Sequence, residues 1–347
     1  MQDKKCFAML VLVVGMALLQ FAEAPAVAQQ LGAGDVPAKM ALAPGASGQL
    51  PLVDNNGNWV FRRQVNEVTV MFTATRKGKY VEDLQRADVQ VRDDKRPPAE
   101  VMDFRNEQGL PLRLGLLIDT SGSVSDRFLH ETRAASEFVK QVVDERNDRV
   151  FVAGFSHRLR IMQDFTNAPE KVASALQRLH DDQGDTAVFD AITSACKKLA
   201  ESGDQQPVAR VLVLISDGDD NASSHTLKDA AEIAQWDEVT IYTISSNPRS
   251  LNLIGDDALQ NLAEQSGGRA LFPASKKRVA KAFASVRDEL RNRYAVSYRP
   301  AEFKPDGHFR RIRIVARHLG KKLHVHARKG YYARPILADV VSASPGR

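Results

Sequence analysis

The sequence predicts an α/β protein: a doubly wound, mostly parallel sheet with helices on both faces, set between β segments that pair into a small β-sandwich. Three observations predict it. Between Leu112 and about Arg293, aliphatic runs alternate with amphipathic stretches. Before and after that region, short alternating runs return, divided by turn residues. The chain has 347 residues, 43% of them apolar and 26% charged, which supplies a core for two units and excludes fibrous or wholly disordered classes.

The chain opens with Lys4 and Lys5, an apolar run from Phe7 to Leu19, and Ala26-Val27-Ala28. A basic start, apolar middle and small-residue exit are the layout of a secretory signal peptide over residues 1–28, cleaved before Gln29. The apolar run is short for a membrane span, which needs about 20 such residues. Removing it leaves the formal net charge at +5, because two lysines leave with Asp3 and Glu23. It also leaves Cys196 as the single cysteine, so no intramolecular disulfide forms. Cys196 shares helical spacing with Ile192, Ala195 and Leu199 and reads as a small buried hydrophobe.

Residues 29–58 are rich in Ala, Gly and Pro and read as a flexible arm. Residues 59–108 form an N-terminal β segment of about four strands, with Val65, Val68, Val70 and Phe72, then Val89, Val91, Val101 and Phe104. Residues 109–293 form the α/β unit. LRLGLLI, RVFVAGF, VARVLVLI and VTIYTI are its strands, dense in aliphatic residues as strands buried on both faces require. FLHETRAASEFVKQVV, PEKVASALQRL, AVFDAITSACKKLA, LKDAAEIAQW and KRVAKAFASVRDEL repeat apolar residues at helical spacing. Residues 294–334 return to β, as YAVSY, RRIRIVARH and KKLHVHARKGYY, with a turn at Leu319-Gly320-Lys321. This segment is expected to pair with 59–108, and residues 335–347 to form a loose tail.

The chemistry concentrates in LLIDTSGSVSD. Asp119 ends a strand, where open α/β sheets place their ligand crevice, and Ser121 and Ser123 follow at i+2 and i+4. The conformational freedom of Gly122 is expected to let the loop curl its oxygens toward one point. Thr186 precedes a helix in GDTAVFDA, and Asp217 ends a strand in VLVLISDGDDN. All five residues offer hard oxygen donors, suited to Mg²⁺, with Mn²⁺ or Ca²⁺ as alternatives, rather than to a soft metal. A capped loop, with Asp119 and Ser121 bonding backbone amides, is the metal-free alternative.

DTSGS resembles the DxSxS signature of the metal-ion-dependent adhesion site in von Willebrand factor A and integrin inserted domains, a Rossmann-like fold. Thr186 in GDTA and Asp217 in ISDG match its second and third elements in order and spacing. The resemblance implies that Ser121, Ser123 and Thr186 coordinate through hydroxyls. Asp119 and Asp217 would act largely through bound waters, leaving a coordination position for a Glu or Asp of a protein partner. Over about residues 60 to 335, the order of segments, with YAVSYRP, DGHFRRIRIVAR and ARKGYYA closing the chain, also resembles the von Willebrand factor A-related proteins of Acidobacteria.

The expected function is therefore an exported, non-enzymatic binding protein of periplasm, surface or medium. An envelope scaffold that binds through its sandwich, with a merely structural metal, is the alternative; a metal-dependent hydrolase is a third reading. A phosphatase-type site needs a second Asp two residues after the first, where this chain has Ser121, and no Gly-rich phosphate loop follows a strand. Asp219 and Asp220 are expected either to tune the metal or to disfavour acidic partners. Arg310, Arg311, Arg313, Arg317, Lys321, Lys322, Arg328 and Lys329 make the last β region basic. Their alternation with Ile312, Ile314, Leu323 and Val325 places them on a solvated face, able at most to touch anionic surfaces weakly. Nucleic acid is not expected, since no aromatics stand among these charges. His324 and His326, at i and i+2 near His318, lack the further ligands that zinc needs.

Overall fold

The computed structural model describes residues 52–53, 59–64, 67–107, 109–122, 125–180, 182, 184–204, 208–247, 254–333 and 337–341. The expected signal peptide, most of the expected arm and Ser123 lie outside the described residues.

Among the described residues, six strands precede the α/β unit: β1 (Leu52–Val53), β2 (Trp59–Gln64), β3 (Val68–Arg76), β4 (Lys79–Tyr80), β5 (Val89–Asp93) and β6 (Glu100–Asn106). The α/β unit then runs β7 (Leu112–Asp119), α1 (Ser125–Val142), β8 (Arg149–Phe155), β9 (Leu159–Thr166), α2 (Pro169–Arg178), α3 (Val188–Ala200), β10 (Ala209–Ser216) and α4 (Leu227–Trp236). It continues through β11 (Val239–Ser245), α5 (Ile254–Ser266), β12 (Ala270–Leu271) and α6 (Val279–Leu290). Last come β13 (Tyr294–Arg299), β14 (Phe309–His318), β15 (Lys321–Lys322), β16 (His324–Ala327), β17 (Gly330–Tyr332) and β18 (Leu337–Val341).

The six-stranded sheet has the order β12-β11-β10-β7-β8-β9. Its pairings are parallel except for β9, which returns beside β8 as an antiparallel edge. Every residue of β7 is buried, because helices cover both faces of the central strands. Leu114, Leu116 and Ile118 point to one face, with α1, α2 and α6. Leu117, Phe151 and Leu214 point to the other, with α3, α4 and α5. Three elements of this unit escape the sequence reading: β9, α5 and the two-residue edge strand β12. β9 is a half-buried edge whose apolar residues do not alternate cleanly. α5 buries only Leu259, Leu262 and Ala263 as large or apolar anchors behind an acidic first turn.

The flanking strands pair across the α/β unit. β13 lies antiparallel between β3 and β6, and β16 adds to β3. The opposing sheet is built on β14, which pairs with β5, β15 and β17. Val70, Phe72, Tyr294, Val296 and Tyr298 meet Val91, Ile312, Ala316 and Tyr331 between the two sheets. Phe72 and Phe104 each stack on Tyr294 at 5.6 Å between ring centroids.

Several expectations are corrected here. KKLHVHARKGYY is not one strand: β15 and β17 pair with β14, whereas β16 crosses to β3. Leu337–Val341, placed in the tail, is a strand antiparallel to β2, and Leu52–Val53, placed in the arm, also pairs with β2. Both segments are short; Leu52–Val53 is only two residues long and pairs with the nearby Trp59 and Val60, while Leu337–Val341 is satisfied by a strand distant in the chain, which local periodicity does not reveal. Arg310 and Arg328, placed on a solvated face, are half-buried, while Arg311, Arg313, Arg317, Lys321, Lys322 and Lys329 are exposed.

Candidate metal centre

Asp119 and Ser216 end adjacent parallel strands, β7 and β10, in register. The Ser216 hydroxyl donates to Asp119 Oδ2 at 2.6 Å. On the other oxygen, Oδ1, Asp119 accepts from the Ser121 amide at 2.9 Å and from the Ser121 hydroxyl at 2.7 Å. The loop after β7 is anchored on both sides: the Thr120 amide donates to Phe155 O at 2.8 Å, and the Asp182 amide to Thr120 O at 2.6 Å.

Thr186 reaches this edge through a reciprocal clamp. Its amide donates to Asn221 Oδ1 at 2.7 Å, and the Asn221 amide donates to Thr186 O at 3.0 Å. The Ala187 amide binds Ser156 O at 2.8 Å, fastening the same loop to the end of β8. Asp217 follows Ser216 directly and accepts from the Asp219 amide on Oδ1 at 3.1 Å. Asp119, Ser121, Thr186 and Asp217 thus share the carboxyl edge of β7, β8 and β10. All four are buried, with Asp119 1% exposed and Asp217 6%. Burial pushes the Asp119 carboxyl up to about 6, while the bonds from Ser216 and Ser121 pull it back.

The donors fit a hard divalent cation. Among the described residues nothing engages the Thr186 hydroxyl or the second carboxylate oxygen of Asp217. No group of three or more His, Cys, Asp or Glu that could hold a metal stands together among the described residues. Of the histidines in the last β region, His326 and His318 are engaged elsewhere. His326 Nε2 lies 2.8 Å from Gly268 O, and His318 stands near Asp83 and Asp88.

Residues 114–285 match the family model of the von Willebrand factor type A domain. This chain carries a von Willebrand factor A domain. The PilB minor pilin from Streptococcus sanguinis is similar in structure, at 13% identity and a TM-score of 0.42, over 57% of this chain and 63% of that one. The conserved hypothetical protein BatB from Bacteroides thetaiotaomicron is similar at 17% identity and a TM-score of 0.39, over 50% of this chain and 98% of that one. Proximal thread matrix protein 1 from the mussel byssus, solved with a zinc-occupied MIDAS motif, is similar at 15% identity and a TM-score of 0.46, over 58% of this chain and 50% of that one. The match thus spans less than two thirds of the pilin and half of the byssus protein. No curated protein matches the chain.

Beside the site, Gly218 rather than Gly122 is a residue whose lack of a side chain matters. Gly218 has φ +81°, and a Cβ there would lie 2.3 Å from Gly255 O. Gly122 has no positive φ, and an added Cβ would meet nothing within 4 Å, which corrects the expectation that its freedom shapes the loop. Asp220 also takes a different role from those expected. Its Oδ1 accepts from the Val188 amide at 2.7 Å and from the Ser223 hydroxyl at 2.5 Å. It therefore caps the N-terminus of α3, where a negative charge is favoured and where Ala187 supplies no side-chain cap. Asp219 remains close to the site. Its carboxyl is raised by burial and by the charges of Asp217 and Asp256. The sequence reading missed Ser216 and Asn221. Both stand in ISDGDDN, and their signal is position: a hydroxyl beside the strand-end Asp, and an Asn within reach of the helix-leading Thr.

Proposed function

We propose that the A domain holds a hard divalent cation, Mg²⁺ above Mn²⁺ or Ca²⁺, through Ser121, Ser123, Thr186, Asp119 and Asp217, and uses it to bind a protein partner through a Glu or Asp. The observation that carries this reading is the unengaged Thr186 hydroxyl and Asp217 oxygen on the edge that Asp119 and Ser121 share. Bound there, the cation supplies an open coordination position for a partner's carboxylate oxygen. The chain's own residues do the rest. Ser216 and Ser121 orient Asp119, Asn221 orients Thr186, and burial keeps the two carboxylates from competing for bulk water. Two carboxylates balance the ion's charge, so an acidic partner is not repelled. This is a binding role, not catalysis. The basic leader supports export to periplasm, surface or medium, and no helix among the described residues is long and apolar enough to cross a membrane.

The test is calorimetric titration of Mg²⁺ and Mn²⁺ into metal-stripped protein, with Asp119→Ala alongside and circular dichroism to confirm folding. Saturable binding in the parent and none in the folded variant is the expected result. A folded parent that binds neither ion overturns the reading and favours a scaffold that binds through its sandwich.

A further inference from the structure

At the opposite end of the six-stranded sheet from Asp119, the A domain and the sandwich meet over a cavity of about 50 Å³. The first residues of β10 and β11, Ala209, Arg210, Val239 and Thr240, form one wall. Thr69 and Met71 of β3, with Arg328 from the link between β16 and β17, form the other. Arg293, directly before β13, stands where the two units join.

The charges here are not balanced. Arg210, Arg293 and Arg328 line the cavity against one carboxylate, Glu238, which is exposed. Arg293 is 4% exposed, yet no hydrogen bond or ion pair engages its guanidinium among the described residues, and its Nε is fully buried. Arg328 donates once, to Thr69 O at 2.7 Å, and its buried Nε has no partner. Burial also lowers its pKa from the usual value, the mark of a cation short of counter-charge. Glu289 pairs with Arg269 and stands near His326, and Glu107, whose amide donates to Arg293 O at 2.9 Å, pairs with Arg105 through Oε1 and leaves its buried Oε2 without a partner. A guanidinium taken out of water without an anion is costly, and folded proteins seldom leave one so.

We propose that this junction binds a tetrahedral oxyanion, phosphate or sulfate, between Arg293 and Arg328. A planar guanidinium offers parallel N–H donors that match two oxygens of such a group. The volume holds a few waters, which suits one tetrahedral group and excludes a nucleotide or a peptide. The oxyanion is either a free inorganic ion or the terminal phosphate of a small monoester, since both present the same oxygens. Held from the A domain's exit and from the sandwich, it ties the two units together. Because it binds the folded chain, it stabilises that state in proportion to its concentration.

The experiment is calorimetric titration of sodium phosphate, and separately of glycerol phosphate, into the whole chain in low-salt buffer. Thermal unfolding is followed beside it, with sodium chloride at matched ionic strength as control. Saturable phosphate binding and a melting temperature raised by phosphate but not by chloride are expected. Arg293→Met is expected to melt higher than the parent without phosphate, to lose the phosphate response and to keep its Mg²⁺ binding. Arg293→Lys, which retains the charge but not the fork, is expected to bind phosphate at least about tenfold more weakly. Binding of glycerol phosphate as tight as that of phosphate supports a monoester as the source, and binding of phosphate alone supports the free ion. No saturable binding by the folded parent overturns the proposal, as does unchanged affinity in Arg293→Met. Should that variant fail to fold, unchanged affinity in Arg293→Lys overturns it equally.

Discussion

Ser216 and Asp119 end neighbouring strands, and the hydroxyl of the first donates to the carboxylate of the second at 2.6 Å. The bond spans 97 residues of sequence. It locks the carboxylate that heads DTSGS to the strand that delivers Asp217.

Ser216→Ala leaves a buried carboxylate oxygen without that donor. The expected loss of stability is about 1–3 kcal/mol, the cost of unpairing a buried charged group. Urea denaturation measures it. Mg²⁺ affinity measured beside it is expected to fall, since Asp119 is freer to turn.

Gly218→Ala places a methyl against Gly255 O and demands a positive φ from an L residue. Destabilisation of more than about 1 kcal/mol is expected. Gly184→Ala, where an added Cβ meets nothing within 4 Å, is the control. Equal stability of the two variants would show that α5 moves away freely.

Asn221→Ala removes the acceptor of the Thr186 amide while sparing every residue proposed to touch the ion. About 1 kcal/mol of stability is expected to go. A larger effect is expected on Mn²⁺ binding, read by calorimetry. Unaltered binding would mean that Thr186 is positioned by its backbone alone.

Asp93 gives the sandwich a pH dependence. Its Oδ2 accepts from the Tyr298 and Tyr331 hydroxyls at 2.8 and 2.9 Å. Burial nevertheless raises its carboxyl above the ordinary value, against the pull of those two bonds. An acid with a raised folded pKa binds its proton more tightly when folded. Its contribution is therefore fully present below the unfolded value, near 4, and is lost as pH rises through the folded one. Stability of the parent relative to Asp93→Asn is expected to decline over that window in urea titrations. A relative rise would reverse the assignment.

The A domain shows why part of this protein was legible in sequence and part was not. Buried parallel strands must be apolar along their whole length, so LRLGLLI and VARVLVLI announce themselves. Helices packed on one face repeat at fixed spacing, so α1, α3 and α6 do as well. β9 and α5 lie at an edge or behind polar turns, where burial is partial and the pattern thins.

The sequence by itself determined the alternating α/β core, the flanking β segments and the order of Asp119, Ser121, Thr186 and Asp217 at strand ends and a helix start. Composition and periodicity are local properties, and strand direction carries them to one edge. Only the tertiary structure decided that Ser216 and Asn221 hold that edge, that Asp220 caps α3 and that Gly218 rather than Gly122 is sterically required. It alone decided that Arg328 and Arg293, from different segments of the chain, line one cavity. Each of these depends on which distant atom a side chain meets, and that is set by packing between elements far apart in the chain.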